Sequence, residues 1–204
     1  MALPAPTPTP SGTRFASPVP IIGPQYCARY PVDLAFVQEF VHVSNFGKYV
    51  VTDVNGTVKF KFRGQIVHVT QRQVLLDVAG NPVVTPRQEC NDRWQAFRGE
   101  SREKSDLIFS VKQTSIIQGR TKLHVFLANN TKEDVCDFKV EGSWSERSCV
   151  VYAGESSSII AQMHKKETVE SEKTAITDNF SVTISPNVDH AFIVALVMIL
   201  CAWD

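Results

Sequence analysis

One stretch constrains this chain more than any other. Ala191 to Trp203, AFIVALVMILCAW, is a run of 13 apolar residues. As a helix it would be about 20 Å long, whereas a bilayer core of roughly 30 Å calls for about 20 such residues. The segment is short for a span yet apolar on every face, and a helix hydrophobic all round must lie inside something. Its β-branched residues also suit a buried strand, but 13 residues without a turn signal favour a helix. Ser185-Pro186-Asn187-Val188-Asp189 adds cap-type residues and an early proline just before it. A helix over about 188–203 is therefore expected, with Phe192, Ile193, Leu196, Val197, Ile199 and Leu200 as its structural core.

The container has to be built from strands. From Ala35 onward, short runs rich in Val, Phe and Ile alternate with turn signals. Lys48–Asp53 and Thr57–Phe62 flank Val54-Asn55-Gly56, and an Asn-Gly pair between such runs is a strong hairpin signal. Further runs include Gln65–Thr70, Gln73–Val78, Pro82–Pro86, Arg93–Phe97, Leu107–Lys112, Lys122–Leu127 and Val135–Val140. Ser148–Tyr152, Ile159–His164 and Phe180–Ile184 complete about a dozen strands, the spacing of an all-β sandwich or barrel. Glu167–Asp178 is the longest polar connection and reads as a mobile loop.

Residues 1–24 carry Pro at 4, 6, 8, 10, 18, 20 and 24, a composition that builds no core and reads as a disordered tail. Residues 25–204 then form a single domain. With 21 basic and 21 acidic residues, the net charge of zero argues against a strongly basic nucleic-acid binder. Five widely spaced cysteines without a CxxC, and an opening Met1–Pro10 without an apolar stretch, lead us to expect free thiols in a reducing intracellular compartment.

Several strings add up to a family. They are Tyr26-Cys27-Ala28-Arg29-Tyr30-Pro31-Val32-Asp33-Leu34, Thr52-Asp53-Val54-Asn55-Gly56, Val74-Leu75-Leu76-Asp77 and Asp92-Arg93-Trp94-Gln95-Ala96-Phe97-Arg98-Gly99. Cys136-Asp137-Phe138, the run Gly142 to Gly154, Ile160 to His164 and Asp178 to Val182 follow, and Pro186 to Ile193 closes the series. In this order they resemble the plant LURP-one-related family over residues 20–204. The resemblance implies a mainly β fold, a closed barrel of about 12 mostly antiparallel strands enclosing a hydrophobic C-terminal α-helix. That is the fold of the Tubby C-terminal domain and the phospholipid scramblases. It also implies plant defence, phosphoinositide binding as in Tubby proteins, or scramblase-like lipid movement, though fold alone does not fix function.

No catalytic motif is present. His42, His68, His124, His164 and His190 are scattered, with no HExxH and no Cys/His pair at metal spacing. Gly154-Glu155-Ser156-Ser157-Ser158 lacks the closing Gly of a nucleophile elbow. Cys149 or Cys136 with a distant His could form a thiol site, but a buried structural cysteine is the plainer reading. The expectation is a non-enzymatic binding or regulatory protein, without cofactor or metal. It would be a monomer that docks on anionic membrane lipid or a protein partner. For the anion, Lys59, Lys61 and Arg63 alternate with Val58, Phe60 and Phe62, so the three cations share one strand face about 7 Å apart. Such a row suits a lipid headgroup phosphate; the bland alternative is an ordinary solvated face. Trp94 and Trp144 read as wall packing, and Trp203 as a plug at the barrel mouth.

Overall fold

A computed structural model describes residues 15–39, 48–67, 70–90, 92–117, 120–165 and 179–203. Twelve strands are followed by one helix: β1 (Val32–Glu39), β2 (Lys48–Thr52), β3 (Val58–Val67), β4 (Thr70–Leu76), β5 (Pro82–Cys90), β6 (Arg93–Arg98), β7 (Leu107–Ile117), β8 (Arg120–Leu127), β9 (Phe138–Gly142), β10 (Val150–Ala153), β11 (Ile159–Lys165), β12 (Phe180–Ile184) and α1 (His190–Ala202). Each strand pairs antiparallel with its neighbour in sequence, and β12 pairs with β1 to close the barrel. Closure removes the unpaired edges that an open sheet would present.

The helix fills the interior. Ala191 through Leu200, ten residues in succession, are buried on all faces. Alternation along the strands turns one side chain in two toward it. Phe36, Phe60, Leu75, Val84, Phe109, Val125, Val140, Ile160 and Val182 all belong to the core around α1. Phe192 is held between Phe109 and Phe138, with ring centroids 5.1 and 4.9 Å away. No helix among the described residues is long and apolar enough to cross a membrane.

All three tryptophans pack in or against the core. Trp203, the C-cap of α1, meets Trp94 of β6 edge-on at 6.1 Å. In the turn between β9 and β10, Trp144 is buried against Phe180, and the Arg147 guanidinium stacks 3.8 Å from the Trp144 ring. That turn needs glycine at its root. Gly142 has φ +141°, and a Cβ there would sit 2.6 Å from the Ser148 carbonyl oxygen.

Three sequence expectations change. Gln65–Thr70 is not a separate strand, because β3 runs unbroken from Val58 to Val67 and only then turns back. Val135–Val140 becomes strand only from Phe138 onward. Before that the Asp137 carboxylate draws the chain into a loop, accepting from the Leu127 N–H (2.9 Å) and the Asn130 amide (2.8 Å). The tail read over 1–24 is fixed over its last ten residues. Val19 bridges Val188, Asn187 Nδ2 donates to the Phe15 carbonyl (2.7 Å), and Ile22 is buried. Apolar side chains at positions 15, 21 and 22 supply packing that the proline count concealed. Residues 1–14, His42, His68 and the Glu167–Asp178 connection lie outside the described residues.

Candidate functional site

A closed barrel filled by a helix leaves its ends as the places for a ligand. At the end where α1 begins there is a cleft of about 730 Å³. Its floor is Tyr26, Phe60 and His190, and its walls are the start of β1 and the tips of the β2–β3 and β4–β5 hairpins. The Tyr26 ring lies 5.7 Å from Phe60 and 5.5 Å, edge-on, from His190.

The floor is held from below by a carboxylate. Asp189 has no exposed surface. Its Oδ1 accepts from the Phe192 N–H (3.1 Å), capping α1, while Oδ2 accepts from the N–H groups of Ile21 (3.0 Å), Ile22 (2.7 Å) and Gly23 (3.0 Å). Four donors and the positive end of the helix dipole make this buried charge tolerable. One side chain thus fixes both the helix start and the segment that carries Tyr26. Arg98 adds a bond to the Ile22 carbonyl (3.0 Å). Burial pushes the neighbouring His190 below its ordinary value, although Asp189 pulls the other way. Burial likewise raises the Tyr26 phenol.

The rim combines apolar and acidic groups. Tyr30, Val54 and Val78 are 69%, 78% and 65% exposed and line the cleft; with Val135 they are the exposed large hydrophobic residues among the described chain. Three carboxylates, Asp33, Asp53 and Asp77, stand beside one lysine, Lys59. Asp53 and Asp77 each close a hairpin turn. Asp53 accepts from the N–H groups of Asn55 (2.9 Å) and Thr57 (3.0 Å), and Asp77 from the N–H (2.8 Å) and side-chain amide (3.0 Å) of Asn81. The Asn81 bonds hold the Asp77 carboxyl below its usual range. For Asp53, burial acts upward, but the Thr57 bond and Lys59 outweigh it and the carboxyl is also lowered.

Lys59, Lys61 and Arg63 do lie on the outward side of β3, since Phe60 and Phe62 between them are core residues. They are not three equivalent cations. Lys59 pairs with Asp53 (3.1 Å) and Arg63 with Glu100 of the β6–β7 loop. Lys61 is exposed, with no ion pair among the described residues. Lys59 thereby belongs to the cleft rim rather than to an isolated basic stripe.

Away from the cleft lining, His124 of β8, Cys136 and Glu155 come together with their ligand atoms within 4.8 Å of one another. Sequence reading missed this cluster because its members are too far apart in the chain for any local motif. It missed the cleft because the Asp53 and Asp77 turns read only as turns. Burial first, then the Glu155 hydrogen bond, pushes the Cys136 thiol up to about 12, and burial takes Cys149 to about 11. Both shifts favour the thiol over the thiolate.

Comparison with known proteins gives one consistent result. The family model described as LURP-one-related matches residues 32–201. Protein LURP-one-related 15 of Arabidopsis thaliana is 50% identical over 199 residues, covering 96% of this chain and 88% of that protein. Protein LURP1 of the same plant is 44% identical over 186 residues, covering 90% and 89%. An X-ray structure of an Arabidopsis thaliana protein superposes with a TM-score of 0.69 at 48% identity, covering 88% of this chain and 95% of that one.

Proposed function

The chain belongs to the LURP-one-related family, and from that premise we propose that it is a non-enzymatic binding protein that takes a basic segment of a protein partner into the cleft at the start of α1. The observation that carries this reading is the clustering of Tyr30, Val54 and Val78, exposed and apolar, beside three carboxylates and one already paired lysine. Contiguous exposed apolar groups mark interaction surfaces. The surplus of carboxylates selects a cation, and the aromatic floor adds a face on which an Arg or Lys side chain can rest. The setting is intracellular, in keeping with cysteines that form no disulfide among the described residues. Plant defence, implied by the family resemblance, is the process in which such a partner would be sought.

Fluorescence anisotropy with a labelled Arg-rich hexapeptide and its Glu-rich counterpart tests the reading. Binding of the basic peptide alone, weakened by salt and by Asp33→Asn with Tyr30→Ala, is the expected result. Equal binding of both peptides, or none, overturns it.

A second reading has its own observation. Lys61 stands exposed between Lys59 and Arg63 on one strand face, and that row suits the headgroup of an anionic phospholipid such as a phosphoinositide. Two of the three charges are already balanced by Asp53 and Glu100, which lowers the pull on a phosphate. Co-sedimentation with phosphoinositide vesicles that is lost in the Lys59, Lys61, Arg63 triple alanine variant would favour this reading over the first. A scramblase-like activity would need α1 to leave the barrel and so to expose ten buried residues.

A further inference from the structure

The structure assigns a divalent transition-metal site of the zinc class to His124, Cys136 and Glu155. Three different ligand types meet there: an imidazole, a thiol and a carboxylate, with ligand atoms all within 4.8 Å of one another. Zinc bonds of about 2.0–2.3 Å in a tetrahedron place neighbouring ligand atoms roughly 3.5 Å apart. The three ligand atoms lie within 4.8 Å of one another, at most about 1.3 Å beyond that spacing. Cys136 Sγ already donates to Glu155 Oε1 at 3.1 Å, so a proton occupies the position between sulfur and oxygen that the metal would take. Coordination breaks that S–H bond, sulfur keeps the electron pair, and the proton leaves to solvent.

The backbone around the three groups is fixed. His124 sits within β8, paired across to Lys112 of β7 and Lys139 of β9. Next to Cys136, Asp137 is tied to β8 through its N–H on the Val125 carbonyl (2.9 Å). Its own carbonyl accepts from the Gly154 N–H (2.7 Å), which holds the Glu155 turn against the Cys136 loop. Ligands on a rigid frame of this kind lose little freedom on binding.

Charge and exposure agree with the assignment. Thiolate and carboxylate together neutralise a divalent ion, while an imidazole and a soft sulfur select zinc-like metals over magnesium or calcium. Two lysines are near, Lys122 and Lys139. Both lie beside Glu141, at 3.6 and 3.8 Å, which offsets their field. Cys136 is buried, His124 half-buried and Glu155 exposed. The fourth position therefore opens toward solvent, as in zinc sites that keep an exchangeable ligand. The ion would clip the β8–β9 loop to the β10–β11 turn.

Cobalt(II) titration of the reduced full-length protein tests the site directly. One equivalent should bind with intense tetrahedral visible bands and a thiolate-to-cobalt charge-transfer band in the near ultraviolet. Cys136→Ser should abolish the charge-transfer band, and His124→Asn and Glu155→Gln should each weaken binding by about tenfold or more. Cys90→Ser, which removes the exposed thiol beside Asp92, should leave the spectrum intact. Persistence of the band in Cys136→Ser, its loss in Cys90→Ser, or an octahedral spectrum without sulfur character overturns the assignment. Should Cys136→Ser fail to fold, the exposed Glu155→Gln variant decides, since undiminished affinity there is equally fatal.

Discussion

Asp189 joins two parts of the chain that lie more than 160 residues apart, through N–H bonds from Ile21, Ile22 and Gly23. Replacing it with Ala strips the acceptor from those donors and from the α1 cap at once. Each buried donor left unmade costs about 1–3 kcal/mol, so Asp189→Ala should lose more than about 3 kcal/mol in urea unfolding. Asp189→Asn, which keeps one acceptor oxygen, should lose less. An Ala variant within about 0.5 kcal/mol of wild type would remove the clamp from the account. The adjacent His190 sets a pH limit. Its folded pKa lies below the unfolded value of 6.5, because burial disfavours the imidazolium. The unfolded chain therefore takes up the proton first as pH falls. Stability is fully present above 6.5 and drains away as pH falls from there toward the lower folded pKa. Urea midpoints at pH 8, 6.5 and 5.5 should fall in wild type and fall less in His190→Phe; parallel curves would exclude His190 as the cause.

The helix and the sheet differ in how openly the sequence declares them. α1 was legible because an unbroken apolar run is a statement about surroundings: all of Ala191–Leu200 must avoid water, whatever lies around them. The strands were legible from period and turn signals, and closure into a barrel came from the family resemblance. What could not be read were contacts made by register. Alternation places Lys59 as one of three cations on a face, but its partner Asp53 sits at the root of a hairpin whose register shifts between Val51 and Thr52. His124 and Cys136 met no spacing rule, because β8, β9 and a turn from Gly154 bring them together. The helix carries its own prediction. Leu196→Ala should cost about 2–5 kcal/mol, since no solvent reaches the space it vacates. Removing Ala191–Asp204 should leave no cooperative melting transition by circular dichroism. A truncated chain that melts near the wild-type temperature would show that the sheet stands without its filling.

For the molecule as a whole, the antiparallel meander and the single β1–β12 seam mean that every strand depends on its two neighbours and on α1. Side chains from all around the wall converge on one core, so loss of the filling is felt by all twelve strands together. The residues of the metal cluster lie outside that core, whereas the cleft reaches it through Phe60 in its floor, so a ligand in the cleft would rest on the interior packing. In the chain, α1 comes after β12. Synthesis proceeds from the N-terminus, so the ribosome makes the whole wall before it makes what the wall encloses. Until residue 202 has cleared the exit tunnel, the emerging strands have nothing to close around, and their inward faces are open to chaperones.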